Sequence, residues 1–428
     1  TNILWKSTDR GDTWTALGDR TKGIDRRTLP IMGTLPMAAT RSLDDGIPYW
    51  PTVSTIAESP RRRGVLWVGT DDGNVQRSGD DGANWSELSS RLPGLPRGAW
   101  INGIEPSRHA DGRVYVVVNN YRNGDFANYV YRTDDDGRTF TRIDGALPAG
   151  RVARTLREDL VNPDLLFLGT EFGLFWSNDR GATWAELRGG MPLVAVNDLT
   201  IHPRENDLIL ATHGRGVWIL DQMNALRELT PAVAEKAMHL FTSRPAEQIR
   251  YRNVLAHVGD VFYEGANPPA GAIVDFWLKA ADSATVTFHG AGGGEVARIR
   301  VAGHAGLNRV VWDLKYAGNG PFVQLGRYEV RLQAGGLGVR GSLEVREDPR
   351  IQVAPDVRRA WTRDMQRLAS LRDSTRALAA RVKSKETAEL ASRAARLYGS
   401  AEDEVGPLTQ LQREQEAFLR RMLGELGR

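Results

Sequence analysis

The sequence of 428 residues contains no cysteine. This excludes disulfide bonds, thiolate metal sites and cysteine nucleophiles. It leaves the compartment open, because a cytosolic protein and a disulfide-free exported protein both fit. No apolar run approaches the roughly 20 residues of a membrane-spanning helix, so we expect no membrane span. The 56 basic and 53 acidic residues nearly balance, which gives no electrostatic reason to expect nucleic acid as a partner.

Common signatures of catalysis are also missing. The sequence has no phosphate-binding loop with its lysine, no His-Glu-x-x-His and no Gly-x-Ser-x-Gly. The seven histidines are scattered without metal-ligand spacing, so we expect no metal and no cofactor. The acidic run Asp134-Asp135-Asp136 is a conceivable calcium site, but the turn motif described next explains the same residues.

Repetition is the main positive feature of the sequence. An eight-residue motif, Ser/Thr-x-Asp-x-Gly-x-x-aromatic, occurs at 7–14, 78–85, 133–140 and 177–184. Its aspartate and hydroxyl can accept backbone N–H groups in a tight turn, and its glycine allows positive φ. Its aromatic ring can pack on a sheet. Each copy lies between an apolar strand and a more polar one, which is the pattern of a β-hairpin.

A second repeat surrounds the first. Leu66–Gly73 matches Leu166–Gly173, with a weaker copy at Ile209–Gly214, and another short strand precedes each. The resulting unit of four antiparallel strands over roughly 40–50 residues is typical of a β-propeller blade. We therefore expect propeller blades over residues 1–225, with full blades at about 50–90, 100–145 and 152–190 and partial ones at 1–20 and 195–221.

The eight-residue motifs resemble the Asp-box, or BNR, repeats of sialidases, xyloglucanase-type hydrolases, sortilin-type receptors and many exported bacterial proteins. The resemblance implies the propeller fold and an exported protein, either periplasmic, on the cell surface or secreted. We exclude sialidase chemistry because the sequence has no Arg-Ile-Pro signature. The position of the first motif relative to Thr1 predicts an incomplete ring, with further blades upstream or on another chain. The alternative is a four-bladed ring that pairs 195–221 with 1–20.

The second half of the sequence predicts two further domains. Residues 240–347 alternate at period two, which predicts a β-sandwich. Segments such as Gly326–Val330 resemble the immunoglobulin-like domain that follows the propeller in long bacterial BNR-repeat proteins. The predicted strands are Gln248–Asn253, Ile273–Lys279, Ala284–His289, Val296–Val301, Leu307–Leu314, Gly326–Gln333 and Gly341–Val345. Residues 354–428 change to helical periodicity and predict a helical hairpin, which either packs within the protein or serves for docking or dimerisation.

Two classes of function remain open. The loops that enter the blades carry Tyr49, Trp50 and Trp100, whose rings either bind a sugar or peptide or fill the blade cores. We expect a non-catalytic binding or scaffolding protein of the cell envelope or exterior, with a protein or glycan as its ligand.

The alternative is a polysaccharide-cleaving glycoside hydrolase of the two-propeller xyloglucanase type, which would need blades outside this chain. Thr70-Asp71-Asp72-Gly73 resembles an element of those enzymes. Glu171 lies at the matching position of a later blade, so Asp71 and Glu171 are the candidate catalytic carboxylates. His213 occupies the same position in the weaker copy, where we expect a turn residue.

Overall fold

The computed structural model describes residues 1–37, 49–249, 267–317 and 320–427. Their backbone divides into two units, unit 1 (Thr1–Arg227) and unit 2 (Glu228–Arg428).

Unit 1 is a succession of small antiparallel sheets. The first sheet has two strands, β1 (Ile3–Lys6) and β2 (Thr15–Asp19). Three four-stranded sheets follow, each with its strands in sequence order. They contain β3 (Val53–Glu58), β4 (Leu66–Thr70), β5 (Val75–Ser78) and β6 (Ser86–Glu87); β7 (Trp100–Pro106), β8 (Val114–Asn120), β9 (Asp125–Thr133) and β10 (Thr141–Arg142); and β11 (Ala153–Glu158), β12 (Leu166–Thr170), β13 (Gly173–Ser177) and β14 (Ala185–Leu187).

The last sheet of unit 1 has three strands, β15 (Val196–Ile201), β16 (Leu208–Thr212) and β17 (Val217–Leu220), and the short helix α1 (Asn224–Glu228) follows it. The first strands of successive sheets, β3, β7, β11 and β15, are neighbours. Side-by-side inner strands of four-stranded antiparallel sheets are the arrangement of propeller blades. The predicted propeller-blade fold is therefore confirmed.

The strand pairing of unit 1 rules out one of the two alternatives for ring closure. Within the described ranges, β1–β2 and β15–β17 form separate sheets. The four-bladed ring made by pairing 195–221 with 1–20 is therefore not formed. The position beside β16 that a strand of residues 1–20 would take is already occupied by β17.

The repeated motif forms the turn between the third and fourth strands of a blade. In the second copy, the N–H of Gly82 donates to Ser78 Oγ at 2.9 Å, and Asn84 donates to Asp80 from its backbone N (2.8 Å) and its Nδ2 (2.7 Å). The hydrogen bonds from Asn84 and Ser78 lower the pKa of Asp80 to about 2. The aspartate is therefore committed to holding the turn.

Unit 2 begins with the short helix α2 (Pro231–Ala234), followed by two sheets. One sheet has the order β18 (Met238–Leu240), β20 (Ala272–Leu278), β23 (Gly306–Trp312). The other has the order β19 (Ala246–Gln248), β25 (Leu337–Glu347), β24 (Gly326–Ala334), β21 (Asp282–His289), β22 (Glu295–Gly303). All strand pairs are antiparallel except β19 with β25.

The two sheets share one hydrophobic core. Phe276 and Trp312 of the first sheet and Phe288 and Leu332 of the second are almost fully buried, and the rings of Phe288 and Trp312 stack at 4.4 Å. This is a two-sheet sandwich. The predicted strand Gln248–Asn253 overlaps β19 only at Gln248, and its residues 250–253 lie outside the described residues.

The C-terminal segment is helical as predicted, but it contains three helices, not a hairpin of two. They are α3 (Pro355–Val382), α4 (Lys385–Glu402) and α5 (Gln410–Leu426). The additional break occurs at Lys383, which adopts a left-handed conformation, and Ser384, which caps α4 in a reciprocal capping box with Thr387. A capping box starts a new helix without glycine or proline.

Candidate functional site

A groove of about 630 Å³ runs across the four inner strands of unit 1. Each strand contributes polar side chains, and the lining is predominantly polar. They include Thr55 from β3, Asn102 and Glu105 from β7, Arg154 and Arg157 from β11, and Asn197, Asp198 and Thr200 from β15, with Arg108 just after β7. Concave sites with converging polar groups from a rigid scaffold are the usual form of ligand sites.

A repeated irregularity of the inner strands aims these side chains. In every blade the pairing between the first and second strands shifts by one residue, at Ser54, Asn102, Arg154 and Asn197. Such bulges re-orient side chains. Two of the bulge residues also bind the next blade: Ser54 Oγ donates to Ile101 O at 2.6 Å, and Asn102 Nδ2 donates to Arg154 O. The bulges therefore both shape the groove and join its walls.

Three charged residues from three successive blades meet in the groove. Arg157 lies between two carboxylates, with its Nη1 3.5 Å from Glu105 Oε2 and its Nη2 2.9 Å from Asp198 Oδ1. Burial raises the pKa of Glu105 to about 7, and Arg157 opposes that rise only in part. A carboxyl group with a raised pKa beside a charged partner is typical of functional sites.

A second cluster lies at the end of the blades where the inner strands begin. We call Trp100, Tyr121, Arg122 and Arg154 the arginine–aromatic ridge. The guanidinium carbon of Arg122 is 3.7 Å from the centre of the Trp100 ring and 5.9 Å from that of Tyr121. That of Arg154 is 5.0 Å from the same Tyr121 ring. Because Arg154 also lines the groove, the ridge is continuous with it.

The two candidate catalytic carboxylates lie in turns at this same end. Asp71 is buried and accepts hydrogen bonds from Thr52 N (2.6 Å) and Thr52 Oγ1 (2.9 Å), and burial raises its pKa. Glu171 accepts from Arg154 Nε at 2.7 Å. Among the described residues, no hydrogen bond or ion pair joins Asp71 to Glu171, and neither lines the groove. The carboxylate oxygens that accept these hydrogen bonds are less available for a catalytic role.

The three predicted binding aromatics are in different surroundings. Tyr49 is 76% exposed and lines, with Trp50, a separate groove of about 640 Å³. The Trp50 ring is fixed because its Nε1 donates to Ile24 O at 2.9 Å. Trp100 belongs to the ridge, where Arg122 covers one face of its ring. Ile47 and Pro48, which precede Tyr49 in its loop, lie outside the described residues.

Sequence reasoning missed Glu105, Arg157 and Asp198. A usable signal was present: Glu105 and Arg157 hold the same position in their blades, one residue before the residue that pairs with the start of the second strand. Opposite charges at one position of successive repeats indicate contact between neighbouring inner strands. Within the described ranges, no group of three histidine, aspartate or glutamate side chains could hold a metal ion. No helix in those ranges has the length and apolarity to cross a membrane.

No protein-family model matches the chain, and no curated protein matches it. Among solved structures it is similar to a GH74 xyloglucanase from Xanthomonas campestris at 14% identity and a TM-score of 0.33, over 68% of this chain and 54% of that one. It is also similar to YCF48 from Cyanidioschyzon merolae (13% identity, TM-score 0.30, 69% and 96% covered) and to YCF48 bound to D1 peptide (13%, 0.29, 69% and 79%). The chain spans about half the length of the xyloglucanase. This similarity is too distant to assign an activity or a ligand.

Proposed function

We propose that unit 1 is a non-catalytic module that binds a protein or glycan ligand in the groove of the inner strands, with a glycan as the better fit. The observation that carries the proposal is the polar lining contributed by all four inner strands. Sugar hydroxyls are both donors and acceptors, and amide, hydroxyl, guanidinium and carboxylate groups alternate along this groove. A protein anchor would instead favour a central apolar pocket.

The Asp-box resemblance supports two further parts of the proposal: an exported protein of the BNR-repeat type, and further propeller blades beside β1–β2, located upstream or on another chain. The second part is supported by an exposed side chain. Ile56 of β3 is 53% exposed, whereas the residues at the same position of the next three blades, Ile104, Leu156 and Leu199, are exposed by 6%, 2% and 1%. Inner strands of a further blade would cover Ile56.

The test is calorimetric titration of the protein with a panel of neutral and acidic oligosaccharides. Thr200→Ala removes a groove hydroxyl, and Thr8→Ala removes an exposed hydroxyl in the first Asp-box turn as a matched control. We expect a several-fold weaker affinity for Thr200→Ala, because a lost hydrogen bond costs about 1 kcal/mol. Equal affinities for both variants, or no binding to any oligosaccharide of the panel, would contradict the proposal of a glycan site.

A specific observation also favours the glycoside hydrolase alternative. Such enzymes need one protonated and one ionised carboxylate across the sugar. Glu105, whose pKa is raised to about 7, and Asp198 both contact the guanidinium group of Arg157. Asp71 and Glu171 are the candidate carboxylates indicated by the sequence. This alternative predicts release of reducing ends from a polysaccharide and its loss in Glu105→Gln. Absence of release would eliminate Glu105 and Asp198 as a catalytic pair that is sufficient within this chain.

A further inference from the structure

We propose that the ligand of the groove is an acidic glycan, and that Arg122 recognises its carboxylate groups. This inference rests on the proposed function, because it takes the groove to be a glycan site. It concerns the ridge, which adjoins the groove at Arg154.

Arg122 is held in place by stacking on an aromatic ring. Its guanidinium lies against the Trp100 ring at 3.7 Å. No carboxylate in the described part of the chain forms an ion pair or hydrogen bond with it. Stacking on a ring covers a face of the guanidinium and leaves the N–H groups at its edge available. A planar carboxylate accepts two such N–H groups in a bidentate arrangement.

The neighbouring charges are already engaged. Arg154 donates to Glu171, and Arg157 is shared by Glu105 and Asp198. Asp71 is near enough for Arg122 to lower its pKa, although burial raises that pKa more strongly. Both oxygens of Asp71 accept from Thr52. Arg122 is therefore the cation of the ridge that can take a carboxylate from outside.

The position of Arg122 links it to the ligand in the groove. Arg122 and Arg154 both lie close to the Tyr121 ring, and Arg154 lines the groove. A chain of sugars that lies along the inner strands and extends past Arg154 reaches Arg122. The Trp100 ring is covered on one face by Arg122, so this ridge offers a charged contact beside a ring that the sequence indicated only as a candidate for binding.

The test compares ligands that differ only in charge. Oligosaccharides of galacturonate, glucuronate and mannuronate are titrated into the protein, each beside its fully methyl-esterified form. The variants are Arg122→Gln and, as a control, Arg138→Gln, which removes an exposed arginine from the Asp-box turn at the opposite end of the same blade. Near-ultraviolet circular dichroism establishes that both variants are folded.

We expect at least one acidic oligosaccharide to bind more tightly than its ester. Arg122→Gln should weaken the acid about tenfold, because hydrogen bonds to charged groups are the stronger ones, and it should leave the ester unchanged. Arg138→Gln should change neither. The difference should shrink at high salt.

Three results would overturn the inference: equal binding of acid and ester, equal effects of Arg122→Gln and Arg138→Gln, or Arg122-dependent binding of an acidic peptide with none of the acidic oligosaccharides. If neutral glycans bind and acidic ones do not, this inference falls while the proposed function stands. If no glycan binds at all, both fall.

Discussion

The glycines of the Asp boxes allow a test of how the blades pack. Gly137 has φ +80°, and a Cβ built on it would lie 2.7 Å from Leu88 Cδ1 and 3.1 Å from Trp67 Cη2 of the preceding blade. Gly11, in the first box, has φ +100°, but its nearest neighbour would be Trp14 of its own turn at 3.7 Å. The two glycines therefore share a backbone requirement and differ in packing.

Gly137→Ala should therefore destabilise unit 1 more than Gly11→Ala. The left-handed conformation costs a non-glycine residue roughly 1–2 kcal/mol at either position. Overpacking adds about 1–3 kcal/mol only at Gly137, because Leu88 and Trp67 are nearly fully buried and cannot move cheaply. We expect a loss of about 2–5 kcal/mol for Gly137→Ala and about 1–2 kcal/mol for Gly11→Ala.

The assay is hydrogen exchange of β9 peptides at increasing urea, which follows unit 1 separately from unit 2. The midpoint for Gly137→Ala should fall further than that for Gly11→Ala. Equal losses in the two variants would show that the contact between Gly137 and the preceding blade does not restrict this position.

Two other predictions concern charged residues of unit 1. The raised pKa of Glu105 means that the folded state favours its proton, so its contribution to stability is lost as pH rises from about 4.5 towards 7. Glu105→Gln should therefore be more stable than the wild type at pH 8 in urea unfolding and nearly equal at pH 4.5; an equal gain at both pH values would contradict this. Arg227 pairs with the fully buried Asp159 at 2.6 Å, so Arg227→Met should cost about 3–5 kcal/mol. The double variant with Asp159→Asn should recover part of that loss, and a loss below about 1 kcal/mol in the single variant would refute the role of the pair.

The blades were predictable because their signals are local. Each Asp box carries its turn within eight residues, and the strands around it alternate with the glycine turns, so strand order and blade register follow from the sequence. The break at Lys383 was missed because a left-handed lysine and a serine cap lack the glycine and proline that usually mark helix ends.

The site was less predictable because it is non-local. Glu105, Arg157 and Asp198 are about one blade apart in sequence, and their contact depends on how inner strands of separate sheets align. Similarly, Trp100 was a candidate binding residue whose ring either meets a ligand or fills a blade core, but Arg122, from the turn after the next strand, covers one face of that ring. A single sequence shows which residues are aromatic or charged, but not which of them come into contact in the fold.

Whether a ligand lies in the groove of the inner strands is tested by hydrogen exchange of the whole chain with and without a saturating acidic oligosaccharide. We expect protection concentrated on β7 (Trp100–Pro106) and β11 (Ala153–Glu158), with the ridge turn at Tyr121–Asn123 also protected. Protection confined to the Asp-box turns or to the sandwich of unit 2, with β7 and β11 unchanged under saturation, would contradict it.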